Sequence, residues 1–84
     1  MTTEKYHWEV ELSMREDDDF CEVTAHLDTK DRSFSGTGRS HRNPSDPQVP
    51  QVGEQLATAR ALSDLAQHLT DDAWSMIERF DPSG

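Results

Sequence analysis

The chain has 84 residues, 17 of them acidic and 8 basic, and a formal charge of −9. That length accommodates one domain, which buries only about 60–65% of the surface its unfolded chain exposes. Leucine, isoleucine, valine and phenylalanine make up about 17% of the residues, which argues against a large core, a membrane span and a roomy enzyme pocket.

In chain order, Met1-Thr2-Thr3-Glu4-Lys5 has neither the basic start nor the apolar stretch of a signal peptide, so a cytoplasmic address is expected. Tyr6, Trp8, Val10, Leu12 and Met14 then alternate with His7, Glu9, Glu11 and Ser13. That period of two predicts a strand over about residues 5–14 with its apolar side inward. Arg15-Glu16-Asp17-Asp18-Asp19 reads as a polar turn. Alternation resumes with Cys21, Val23, Ala25 and Leu27 against Glu22, Thr24 and His26, predicting a second strand over about 20–27. After a turn at Asp28-Thr29-Lys30-Asp31, a third strand over about 32–41 places Phe34, Gly36 and Gly38 on one side. Glycines on an inward strand face permit bending or the close approach of a helix. Gly36-Thr37-Gly38 lacks the third glycine of a dinucleotide loop, and no helix follows it directly.

A proline-fixed loop over 42–49 comes next, and Pro50 suits the first turn of a helix. Val52, Leu56, Ala59, Leu62, Leu65, Ala66 and Leu69 recur at helical spacing over about 50–69. They predict an inward arc of roughly 180°. Ala57 and Ala61 form a smooth strip outside that arc, and Arg60 and Asp64 form an i,i+4 ion pair. Thr70, followed by Asp71 and Asp72, reads as the N-cap of a second, short helix over about 71–80 carrying Ala73, Trp74, Ile77 and Phe80. The expected fold is α+β in a single domain over 1–84, in the order β-β-β-α-α. A three-stranded antiparallel meander packs on one long C-terminal helix, with a short terminal helix after it. Such a chain is short of core, and a homodimer is the economical remedy. Ala57, Ala61, Leu65, Leu69, Trp74, Ile77 and Phe80 are the candidate residues for a dimer or partner interface.

Charge is unevenly placed, at −7 over residues 1–29, +3 over 30–43 and −5 over 44–84. Lys30, Arg32, Arg39, His41 and Arg42, with Asn43 as a further donor, are candidate contacts to the phosphates of RNA. The competing reading pairs these cations with neighbouring surface acids. No aromatic residue interleaves with them for base stacking. His7 and His26 lack a third ligand at metal spacing, and Asp17-Asp18-Asp19 lacks the glycine and spacing of a calcium loop. No serine stands in a nucleophile elbow. No enzyme activity, metal, cofactor or small-molecule substrate is expected. Cys21, a lone cysteine, reads as a small buried hydrophobe.

Several motifs together resemble an actinobacterial family of small domains of unknown function, across about residues 6–69. They are Gly36-x-Gly38, Asn43-Pro44-x-Asp46, Val49-Pro50-x-Val52-Gly53-Glu54-x-Leu56 and Ala59-Arg60-Ala61-Leu62-Ser63-Asp64-Leu65, joined by Trp8-x-Val10 and Thr24-Ala25-x-Leu27. The resemblance implies a fold like the double-stranded-RNA-binding domain and a dimer whose halves combine sheets and helices. It also implies kinship of shape with ribosome hibernation factors and an association with dormancy or hypoxic stress, and it supplies no catalytic residue. The resulting expectation is a cytoplasmic, non-enzymatic dimer that occupies a ribosomal or RNA site through its basic stretch. The alternative is a regulatory module that binds a protein partner through Ala57, Ala61, Trp74 and Phe80.

Overall fold

The computed structural model describes residues 3–43 and 49–80. Strands β1 (Val10–Glu16), β2 (Phe20–Asp28) and β3 (Ser33–His41) form one antiparallel sheet in the order β1-β2-β3, followed by a single helix, α1 (Pro50–Phe80). Both turns close on short backbone bonds. The Asp17 N–H donates to Phe20 O at 2.9 Å, with the Asp19 N–H on Asp17 Oδ1 at 3.0 Å, and the Thr29 N–H donates to Arg32 O at 2.8 Å. The pairings Leu12↔Ala25↔Gly36 and Met14↔Val23↔Gly38 put these side chains in rows on one face, since directly opposed residues share a face.

That face receives the helix, and the two glycines determine where. A Cβ built on Gly36 would come closer than 3.0 Å to Leu65 N and Ala61 O, and one on Gly38 would meet Ala57 O and Ala61 N as closely. The backbone of α1 therefore rests on the backbone of β3. Only small side chains fit into so close an approach, so Ala57 and Ala61, with Leu65 one turn on, are the buried stripe of the helix. They complete the core with Cys21, Val23, Ala25 and Leu27, and Phe34 and Leu69 pack at its margin.

The helix is turned relative to the sequence expectation. The bulky arc of Val52, Leu56 and Leu62 lies exposed, and the alanine strip expected to face outward is the one buried. The break expected at Thr70 is absent, and α1 runs unbroken for 31 residues. Thr70 does not cap a new helix. Its hydroxyl donates to Ala66 O at 3.0 Å, and Gln67 Nε2 donates to Asp71 Oδ1 at 2.8 Å. With no glycine or proline between residues 54 and 80, nothing interrupts the backbone ladder, and the Thr-Asp-Asp signal is overridden.

At the other end of the chain, β1 starts at Val10 rather than near residue 5, because β2 ends at Asp28 and offers Tyr6 and Trp8 no partner. The side of β1 expected inward is uncovered. Because α1 lies over β3 and β2, β1 falls outside the main contact, and Val10, Leu12 and Met14 are 43%, 45% and 46% exposed. No helix among the described residues is long and apolar enough to cross a membrane.

The glycine contact sets a clear expectation. Gly38→Ala pushes a methyl group into helix backbone that cannot rotate away, and should destabilise the domain by about 2–3 kcal/mol or more. In so small a protein that loss would show as a large drop in the thermal midpoint followed by far-ultraviolet circular dichroism.

Candidate functional site

The offset of α1 leaves an open apolar trough. One wall is the face of β1 bearing Val10, Leu12 and Met14. The other follows from the helix period of 100° per residue. With Ala57, Ala61 and Leu65 turned down and Arg60, Asp64 and His68 reaching the outer edge of β3, Leu62 and Leu69 fall on the flank towards β1. The positions 62, 66, 69, 73, 76 and 80 continue that flank at alternating spacings of four and three, an apolar seam of the kind helices use against one another.

The ion pair between Arg32 and Asp72 marks where the sheet ends beneath the helix. Residues 73–80 project beyond it, since a 31-residue helix spans about 46 Å and a nine-residue strand about 30 Å. Trp74, Ile77 and Phe80 lie on this overhang, 59%, 55% and 75% exposed. Of the seven residues expected to meet a partner, these three are available and Leu69 is half-buried. Ala57, Ala61 and Leu65 are not available, because they are core. Val10, Leu12 and Met14 join the surface in their place. Their alternation marks an apolar face, but it does not say whose helix covers that face.

The basic residues are spread rather than gathered. Lys30 and Arg32 sit by the β2–β3 turn, and Arg39, His41 and Arg42 lie towards the far end of β3 with Asn43 after them, about 24–34 Å from Arg32 along the strand. Arg32 pairs with Asp72, and Arg39 Nε lies 2.8 Å from Glu22 Oε2. Arg42 Nη2 lies 2.7 Å from Asp19 Oδ1. Glu22 also holds Arg15 at 3.0 Å, and the His41 ring leans on Phe20 with centroids 5.0 Å apart.

A recess of about 450 Å³ lies between the β1–β2 turn, the end of β3 and the first turns of α1. It is larger than the composition suggests because it is open on one side. Phe20, Cys21, Val52 and Leu56 supply its apolar lining, and Glu16 with Asp17-Asp18-Asp19 its acidic rim. The hydrogen bond Glu16 shares with Glu54 raises its pKa, helped by partial desolvation and by repulsion between the two carboxylates. Burial, and then the same two acids, pushes the Cys21 thiol up and away from its reactive form. Among the described residues no group of three or more histidine, cysteine, aspartate or glutamate side chains could hold a metal ion.

On the outer side of the sheet, α1 reaches the edge of β3 directly. Arg60 Nη1 donates to Arg39 O at 2.6 Å, the Thr37 N–H donates to Asp64 Oδ2 at 2.9 Å, and His68 Nδ1 lies 2.6 Å from Ser35 O. A carbonyl only accepts, so Nδ1 carries the proton. Arg60 and Asp64, expected to pair with each other, turn instead to the strand. The spacing of 60, 64 and 68 on one helix face is the sequence signal for this cluster, though it does not name backbone atoms as the targets.

The Rv2632c-like family model matches residues 6–83. The chain belongs to the Rv2632c-like family. Among its relatives, the uncharacterized protein Mb1767 of Mycobacterium bovis is 36% identical over 63 residues, covering 75% of this chain and 67% of that protein. The uncharacterized protein Rv2632c of Mycobacterium tuberculosis is 38% identical over 61 residues, covering 73% of this chain and 66% of that one. The alignments thus span about two thirds of these relatives. The crystal structure of Rv2632c is similar to this fold with a TM-score of 0.87 at 32% sequence identity, over 98% of this chain and 100% of the other. The Rv2632c-like architecture of three antiparallel strands under one long helix therefore holds over nearly the whole chain.

The Glu16–Glu54 contact makes a pH-dependent expectation for this Rv2632c-like domain. A carboxyl whose folded pKa is raised favours the fold below its ordinary value of 4.5, and that contribution is lost as pH rises through the folded pKa. At pH 7 the two carboxylates repel, so Glu54→Gln should raise the thermal midpoint there. The gain should shrink to nothing as the pH falls below 4.5, as a series of thermal melts would record.

Proposed function

We propose that this Rv2632c-like chain is a non-catalytic, cytoplasmic binding module that works as a homodimer, with the trough between β1 and α1 as its contact surface. One observation carries the reading: the apolar face of β1 is as regular as that of β2, yet the chain's own helix does not cover it. Contiguous exposed apolar surface of this kind marks a protein contact. A domain of this size gains from a second copy the core it cannot build alone.

The geometry favours a protein partner over RNA. Binding to phosphates needs cations segregated on one surface, and here Arg32, Arg39 and Arg42 each face an acid while the two halves of the basic stretch occupy opposite ends of β3. The setting in stress or dormancy comes into this proposal from the family resemblance, with the dimer as the working unit.

Light scattering coupled to size-exclusion chromatography at micromolar concentration tests the reading. The wild-type chain should run at the mass of two copies. Leu12→Glu, which places a charge at the centre of the β1 face, should run at the mass of one with its circular dichroism spectrum kept. A wild-type mass of one chain would overturn the proposal.

A further inference from the structure

An antiparallel sheet has two edges, and each presents alternate main-chain groups outward. Counting from the bond between the Asp17 N–H and Phe20 O, the main-chain groups of Glu11, Ser13 and Arg15 face β2. Those of Val10, Leu12, Met14 and Glu16 therefore point away from the sheet. Counting from the bond between the Thr29 N–H and Arg32 O, β3 turns the main-chain groups of Ser33, Ser35, Thr37, Arg39 and His41 outward, the middle three lying beneath α1. The two edges are treated differently. Side chains of α1 take an outward group at each of Ser35, Thr37 and Arg39. Among the described residues, no side chain takes the outward groups of β1.

The edge of β3 is one that needs covering. Its sequence, SFSGTGRSH, carries little bulk to fix a register, and weakly specified strands are prone to slipped and repeated pairing. The cover is built from a matching of periods. Four helix residues rise about 6.0 Å and two antiparallel strand residues about 6.8 Å. Helix positions 60, 64 and 68 thus stay level with strand positions 39, 37 and 35 for three successive rungs.

We propose that Arg60, Asp64 and His68 form an edge seal that confines strand pairing to β1, so that assembly closes at two copies instead of propagating. The inference rests on the homodimer reading and gives its geometry, with β1 of a second copy as the occupant of the open edge. Antiparallel pairing centred on Leu12 sets Val10 opposite the second copy's Met14 and continues the apolar row. On the other face it sets Glu9 opposite the second copy's Arg15, opposite charges at both ends of the pairing. Centring the pair on Glu11 instead would oppose two glutamates. A two-fold pairing of this kind uses both β1 edges completely. The outer edges of the joined sheet are then the two β3 strands, both sealed.

The test is sedimentation velocity across a concentration series for the wild type and for the triple variant Arg60→Ala, Asp64→Ala, His68→Ala. The seal predicts a wild type fixed at two chains and a variant that grows to four chains and beyond as concentration rises. A folded triple variant that keeps the wild-type mass overturns the seal and leaves the dimer standing. A one-chain wild type whose triple variant associates overturns the dimer and leaves the seal standing. Amide exchange in the wild type decides the matter should the variant not fold. The Thr37 N–H, held by a carboxylate, should exchange about 10-fold or more slowly than an unstructured amide, and exchange at the unstructured rate overturns the seal.

Discussion

The contact of helix backbone on strand backbone, over Gly36 and Gly38, is the constraint from which the rest of the molecule follows. Because the helix sinks onto β3, its inward stripe has to be alanine, and its bulky residues are displaced to the flanks. Because it sinks onto β3 rather than the middle of the sheet, β1 is left without cover. The same depth brings Arg60, Asp64 and His68 low enough to reach main-chain atoms at the β3 edge. Two hydrogen atoms in place of side chains thus account for both the closed side of the molecule and its open side.

Electrostatics plays a local part. Within a net charge of −9, each arginine of the central stretch is matched to an acid nearby. Glu22 on β2 sits between Arg15 on β1 and Arg39 on β3, tying the three strands together on the face away from the helix. Exposed pairs of this sort contribute little each, about 0–1 kcal/mol. Their more important effect is to place the arginines of the central stretch next to acids instead of gathering them on one surface.

Much of this fold is legible in the sequence, and the limits have physical causes. The alternation of Cys21, Val23, Ala25 and Leu27 reports a strand whose face is filled, and the structure buries all four. The alternation of Val10, Leu12 and Met14 looks the same but cannot say whether the cover comes from this chain or another. The helix face misleads because hydrophobic periodicity gives most weight to bulky residues, whereas a glycine floor selects small ones. At Thr70 a capping signature and a helix interior have the same letters, and only the absence of a nearby glycine or proline distinguishes them. The seal on β3 is hardest to read, because its targets are main-chain atoms that no residue type announces.

The shared pitch of α1 and β3 also bears on how such a sequence can diverge. One extra residue anywhere between Ala57 and His68 would rotate everything downstream by about 100°. The later alanine and leucine would leave the glycine floor, and the later polar side chains would swing away from the strand in the same step. Replacements on the solvent side of this stretch leave that geometry untouched, so its spelling can drift freely while its length cannot.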